Sequence, residues 1–580
     1  MKKNFFGART FTGASRLGAV TGTFVLVLFC AILASCATTK SAGTGAGSKN
    51  PYLKIEGGRA VITNIDADGS AVHYGKSVDG FENVTVVDCS KSEARNLVTV
   101  DLADYEEFDI DFDFSCDMKV EDSTGAETDV IWMINELDAG FPELARIKVP
   151  SGEWVHFEGA KSVALSGKRQ FFMSAAGIKR ENVKLYIKNF NLELISDNIG
   201  KEKVKKVSWK DEPSLAKTYE KYFDYIGFAT PKVILDSSDI LTGLEHQASC
   251  FTMENEFKPD FMFAWQSPSR LQDFKGEDGK TYKVPGNTPV MDNVGKILKI
   301  AKSLNLKMRG HVLVWHAQTP DWFFRENYGG KQASYVSQDE MNARLEWYIK
   351  TVLEYIKDWE DKNNGGKRIV ITWDVVNEAA SDGATQTNWL RADSNWYRIY
   401  GSDKFIVNAF RYANKYAPKD VLLAYNDYGC TSVAKCGAIC KIVDAIQAAP
   451  DARIDVVGMQ SHIGMNTPVT GANSFETSVQ KFLAKGVDVQ VTELDIGQDG
   501  QRYSSERLKA KYKEFFKMCL ANRRTENKHG IRGITLWGIV DERSWIYNSN
   551  GKKQHPLLFE GNYTCKPAFY GVLEAAAEEE

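Results

Sequence analysis

Eight short apolar runs, each followed by a longer stretch with helical spacing, constrain the C-terminal part of this chain more than any other feature. In order they are YIGFAT (from Tyr225), HQASCFTMENE (His246), LKMRGHVLVWH (Leu306), RIVITWDVVNE (Arg368), VLLAYNDY (Val421), IDVVGMQSH (Ile454), VDVQVTELD (Val487) and RGITLWGIVD (Arg532). Their β-branched, near-continuous apolar character predicts strands buried on both faces, as in a parallel sheet. Intervals such as MNARLEWYIKTVLEYIKDW carry helical spacing between them. Strand and helix alternating eight times predict an α/β fold, a (β/α)8 TIM barrel, over residues 214–577.

A chain of 580 residues is too long for one ordinary domain, and the pattern upstream differs. In EEFDIDFDFS, Phe108, Ile110, Phe112 and Phe114 alternate with Asp109, Asp111 and Asp113. That period of two predicts a strand with one buried and one solvated face. VKLYIKNFNLEL alternates likewise, with a change of phase near Asn189 that predicts a bulge or a break. Residues 51–198 therefore read as a β-sandwich (jelly-roll) module, with Trp132 and Trp154 expected in its core rather than as sugar platforms, the alternative role for both. The charged segment 199–213, ending at Pro213, reads as a linker.

The first residues carry Lys2, Lys3, Arg9 and Arg16 without an acid, then the apolar run FVLVLFCAILA and the tetrad Leu33-Ala34-Ser35-Cys36. Basic region, short apolar core and small residues make residues 1–35 a secretory signal. The tetrad resembles the bacterial lipobox, whose cysteine takes lipid, so Cys36 is the expected anchor to a membrane. Residues 36–50, rich in Gly, Ser and Thr, read as a flexible tether. The expectation is an exported bacterial lipoprotein of the cell envelope. Ala37 supplies no acidic retention signal, which favours the outer membrane or cell surface. The remaining cysteines lack paired CxxC spacing, against a zinc site. A net charge of −4 gives no footprint for nucleic acid.

Function enters at the strand ends. Polar and aromatic residues gather at the C-terminal ends of nearly all the barrel strands: ENEFK, WH, NE, NDY, QSH, TELD and WGIVDERSW. In a TIM barrel those ends meet at one face, where active sites are built. Glu378 after the fourth strand and Glu493 after the seventh would face each other across the mouth. A retaining glycosidase needs such a pair, about 5–5.5 Å apart, with one acid protonated and the other ionised. Asn377 can bond a sugar hydroxyl. His462 can bond Glu493, with Asp495 holding the imidazole, and Trp537 and Trp545 offer flat faces to pyranose rings. His311 and His316, five apart on one strand, point to opposite faces and would not chelate one metal ion.

The linked motifs TMENEFKPD, RGHVLVWHAQTPDWFF, WDVVNEA, YNDYG, GMQSHIG, VTELDI, LWGIVDERSW and PLLFEGNYTCKPAFY resemble those of glycoside hydrolase family 10. The resemblance covers residues from about 214 to 577. It implies a retaining endo-β-1,4-xylanase acting on xylan and xylo-oligosaccharides, with no cofactor for catalysis. It makes Glu378 the acid/base and Glu493 the nucleophile. Glu254, Asn255 and Lys258 would hold sugars on the non-reducing side. His311, Trp315 and Asn377 would line the central subsite, Gln460 and His462 would flank the nucleophile, and Trp537 and Trp545 would form an aromatic lid. Phe257 stands where methionine is commoner, and Gly429 where asparagine is usual. The rival readings are a β-1,4-glucanase on the same scaffold and a non-catalytic polysaccharide-binding lipoprotein. SGEWVHFEGAKSV and KLYIKNFNLEL resemble carbohydrate-binding modules of families 22 or 4. Modules of that type often hold a structural calcium, for which the aspartates here could supply ligands, though alternating acids more often form a solvated face.

Overall fold

The computed structural model describes residues 53–56, 59–62, 72–88, 96–101, 110–136, 143–163, 169–175, 183–195 and 207–579, apart from 287–290, 501–502 and 550–553. The signal, Cys36, the tether and Phe108 lie outside the described residues.

The N-terminal module is built from two antiparallel sheets. The larger centres on Val183–Ile195, which pairs with Ile110–Asp122 on one side and with Phe81–Asp88 and Arg59–Ile62 on the other. The smaller runs Asn96–Asp101, Arg169–Ala175, Thr128–Glu136, Glu143–Val149. Of the expected alternation, Asp113 is exposed and Phe114 buried, and Cys116, Met118 and Val120 continue the buried face; the side chains of Ile110, Asp111 and Phe112 lie outside the described residues. The change of phase at Asn189 is a bulge, with the register against Ile110–Asp122 shifting between Lys188 and Asn191 and Asn189 at φ +52°.

Trp154 departs from the expected core role. It is only half-buried, its Nε1–H donating to Asp79 at 3.3 Å and its ring edge-on to the exposed Phe81, with Lys188 Nζ 4.3 Å above it. The Trp132 side chain lies outside the described residues.

The eight predicted barrel strands form, as β1 (Tyr225–Thr230), β2 (Cys250–Met253), β3 (Lys307–Trp315), β4 (Val370–Asn377), β5 (Leu422–Asp427), β6 (Val456–Met459), β7 (Asp488–Gly497) and β8 (Ile531–Leu536). All neighbours are parallel, and β8 pairs back to β1 to close the barrel. Close approach is needed inside: a Cβ on Gly310 would fall 2.4 Å from the Trp373 ring. The helix starts are set locally. Ser214, Ser337, Ser394, Ser432, Ser474 and Ser504 each cap a helix by accepting the N–H three residues on.

The expected linker stops short of Pro213. Trp209 is 1% exposed, packed against Phe559 and Tyr563 at centroid distances of 5.4 and 5.1 Å. Backbone bonds Trp209 N–H to Tyr563 O and Cys565 N–H to Val207 O tie the segment to the chain's far end. A large aromatic with an apolar site within reach buries itself whatever the charge of its neighbours, so residues 207–213 belong to the barrel. Among the described residues the seven cysteines are free thiols, and no helix is long and apolar enough to cross a membrane.

Candidate active site

The site is assembled at the C-terminal ends of the barrel strands. β4 delivers Asn377, 2% exposed, and then turns sharply, with Glu378 in the left-handed region at φ +56°. The Glu378 carboxyl accepts two hydrogen bonds at 2.8 Å, from Trp315 Nε1–H on Oε2 and from Gln460 Nε2–H on Oε1. Across the mouth, β7 carries Glu493, 4% exposed, whose Oε1 accepts from Asn426 Nδ2–H at 2.8 Å. The two halves are stitched together through Asn377, whose Oδ1 accepts from Asn426 Nδ2–H at 2.9 Å and Gln460 Nε2–H at 3.2 Å.

The second oxygen of Glu493 receives His462 Nε2–H at 3.2 Å. His462 reaches this place because β6 ends at Met459 and the chain re-aims at Ser461, φ +65°, into the short strand His462–Gly464. That strand pairs with the end of β7, opposing His462 to Asp495. His462 Nδ1 lies 2.9 Å from Asp495 Oδ2, a close charge contact without an aligned hydrogen bond. Asp495 Oδ2 also accepts Trp545 Nε1–H at 2.8 Å.

Opposing effects fix the charges. Burial alone would raise the Glu493 carboxyl; the His462 hydrogen bond, the charges of His311 and His462, and the Asn426 hydrogen bond instead bring it to about 2. Burial alone would lower His462; Asp495 and Glu493 raise it to about 10. The pair is therefore a carboxylate against an imidazolium at neutral pH. Such a carboxylate is unprotonated in an enclosed place and has the charge that nucleophilic attack requires.

The other expected residues converge here. Lys258 is 7% exposed and donates to Gln318 Oε1 at 2.9 Å and more distantly to Asn255 Oδ1 at 3.4 Å. Burial lowers its ammonium, against the charges of Glu493, Glu254 and Glu378. Burial raises the Glu254 carboxyl to about 7, with Lys258 opposing and Glu256 reinforcing. His311 is held by Asp374 at 2.9 Å and packs edge-on to Trp537, which also meets His462 edge-on. Trp545 is 64% exposed and lies beside His462.

The family model for glycosyl hydrolase family 10 matches residues 214–575. The chain belongs to that family. Similar proteins include endo-1,4-β-xylanase Y of Acetivibrio thermocellus, 33% identical over 62% of this chain and 32% of that protein. The bifunctional endo-1,4-β-xylanase XylA of Ruminococcus flavefaciens is 34% identical over 63% of this chain and 34% of its own length. The chain thus spans about a third of the length of these two relatives. Among solved structures, the CBM22-1–GH10 modules of Clostridium thermocellum xylanase 10B, complexed with xylohexaose, align over 90% of this chain and 96% of that one. Their TM-score is 0.53 at 25% identity. TsXylA, an intracellular xylanase of Thermoanaerobacterium saccharolyticum complexed with xylotetraose, aligns over 63% of this chain and 99% of its own. Its TM-score is 0.51 at 31% identity. The first of these alignments takes in the N-terminal β-sandwich as well as the family-10 barrel.

Within this family-10 site the two departures from pattern are accommodated. Phe257 is buried with its ring 6.0 Å from Trp373, and Gly429 adopts φ +63°. Sequence reasoning missed several contributors. Asp374, fully buried, pairs with Arg309 as well as His311. Its signal was a charge inside an apolar strand. Asn426 and Tyr425 lie in the YNDYG motif, whose pattern does not separate residues that face the site from those that face away. Gln318, which receives Lys258, lies in the RGHVLVWHAQTPDWFF motif just past the end of β3, where nothing marks it as a partner of a lysine from another strand end.

Proposed function

We propose that the chain is a retaining endo-1,4-β-xylanase, with Glu493 as nucleophile and Glu378 as acid/base. The observation that carries this reading is the joining of the two carboxyl groups through the Asn377–Asn426–Gln460 amides, with Glu493 buried and held ionised. The xylanase names of the relatives support the substrate class.

In the first step Glu493 attacks the anomeric carbon and the glycosidic bond breaks. Its electron pair leaves on the oxygen, which takes the proton of Glu378. A glycosyl ester on Glu493 results. In the second step water attacks that carbon, gives its proton to Glu378, and returns Glu493 as carboxylate. Two inversions leave the product β. Formation of the ester removes the charge of Glu493 for the step in which Glu378 acts as base. Glu254, Asn255 and Lys258 hold the sugar chain on the non-reducing side, and Trp537 and Trp545 cover the ring at the reaction centre.

The same scaffold accepts a β-1,4-glucan if it tolerates a hydroxymethyl group on each ring. Initial rates on xylan and on soluble cellulose decide between the two: xylan should be cleaved faster, and the reverse order would make the chain a glucanase. The sequence of residues 33–36 supports lipid attachment at Cys36 and a place on the cell envelope. Metabolic labelling with a radioactive fatty acid, lost in Cys36→Ala, tests it. The N-terminal sandwich is proposed to bind the same glycan, on its alignment with the CBM22-1 region.

A further inference from the structure

The left-handed conformation of Glu378 raises the question of what holds it. A non-glycine residue at φ +56° persists only where its surroundings over-determine it. Glu378 N–H donates to Asn426 O at 2.9 Å, and Glu378 O accepts Arg391 Nε–H at 2.9 Å. The next two N–H groups, of the buried Ala379 and Ala380, leave the strand without a sheet partner. Both donate to the Tyr425 hydroxyl oxygen, at 3.0 and 2.9 Å, and the Ala380 N–H also reaches Asp427 Oδ2 at a longer 3.4 Å.

A phenolic oxygen that receives two N–H groups has used both lone pairs and must give its own proton elsewhere. Tyr425 gives it to Asp427 Oδ2 at 2.5 Å. Asp427 in turn faces Lys435 Nζ at 3.0 Å and accepts Tyr428 N–H at 2.9 Å. Tyr425, Asp427 and Lys435 are each 2% exposed or less, so water cannot replace any of these bonds. The chain of donors runs in one direction only: Lys435 keeps Asp427 an acceptor, Asp427 orients the Tyr425 hydroxyl, and the hydroxyl oxygen clamps the turn that aims Glu378.

We propose that Tyr425 is a positioning residue for the acid/base, its buried hydroxyl fixing the Glu378 turn so that the carboxyl meets the leaving oxygen. Tyr425 belongs to β5, its hydroxyl bonds to Ala379, Ala380 and Asp427 and not to the Glu378 carboxyl, and it acts through the backbone of Ala379 and Ala380. This rests on the reading of Glu378 as acid/base. Loss of the hydroxyl harms only steps in which Glu378 handles a proton.

The test is Tyr425→Phe in the full chain, read by kcat/KM on two substrates. Xylotetraose has a sugar leaving group that needs the proton; 2,4-dinitrophenyl β-xylobioside has one that does not. Competent sites are counted from the dinitrophenolate burst with the corresponding 2-deoxy-2-fluoro glycoside. Per competent site, kcat/KM on xylotetraose is expected to fall about 10- to 100-fold. On the dinitrophenyl glycoside it should stay within about twofold of wild type. Equal losses on both substrates, or no loss on either, would overturn the proposal. If Tyr425→Phe does not fold, Asp427→Asn is read by the same ratio and should show the same selective loss. A wild-type chain that gives no burst would instead overturn the nucleophile assignment beneath it, independently of Tyr425.

Discussion

His462 Nε2 sits 3.2 Å from Glu493 Oε2, a cation against a carboxylate held ionised in spite of its burial. The histidine holds the Glu493 carboxyl unprotonated despite burial. In His462→Asn that positive charge is gone, and the Glu493 carboxyl rises from about 2 toward the ordinary range. The acid limb of kcat/KM should therefore move to higher pH. An unmoved limb, measured with full site occupancy by active-site titration, would contradict this assignment of the coupling.

Glu254 gives the opposite sign. Burial holds its folded carboxyl at about 7, above its unfolded value. The unfolded chain thus loses this proton first, and the folded state loses stability as pH rises between roughly 4.5 and 7. Glu254→Gln, which has no proton to lose, should melt higher relative to wild type at pH 8 than at pH 5. The same variant should raise KM for long substrates if Glu254 holds a sugar. A melting difference independent of pH would contradict the buried-carboxyl account.

Asp374 is fully buried between Arg309 and His311, and removing it strands the Arg309 guanidinium in the barrel. Asp374→Ala should cost about 3–5 kcal/mol in urea unfolding. A cost near zero would mean that Arg309 finds another partner, its Nε–H bond to Gln490 at 3.1 Å being the nearest at hand.

Trp209 makes a claim about where the barrel begins. A shortened chain starting at residue 207 keeps the Trp209 contacts with Phe559 and Tyr563, whereas one starting at 214 loses them. The shorter chain should be less stable by about 3–5 kcal/mol, the range for emptying a large aromatic site. Equal denaturant midpoints would return residues 207–213 to the role of linker.

These cases show what could be read from the sequence and what could not. The eight strands were legible because burial on both faces leaves apolar runs, and the strand ends because polar residues collect where the barrel opens. The bulge at Asn189 was legible as a break in a period of two. Trp209 was not, since a lone tryptophan in KEKVKKVSWKDEP gives no hint that its partners lie near the other end of the chain. Asp374 and Tyr425 were hidden for a related reason. Each sits inside a strand, and only the neighbouring strand shows whether it is core filler or part of the machinery. Trp154 failed in the other direction: the alternation of its strand does not reveal that Phe81 and Lys188 crowd it at the surface.

The most direct test of the central claim is time-resolved proton NMR of xylohexaose hydrolysis by the wild-type chain, with Glu493→Ala alongside. Double displacement through Glu493 predicts that the β-anomer of the new reducing end appears first, before mutarotation, and that the variant is inactive. An α-anomer appearing first, or a Glu493→Ala chain that cleaves at the wild-type rate, would contradict it.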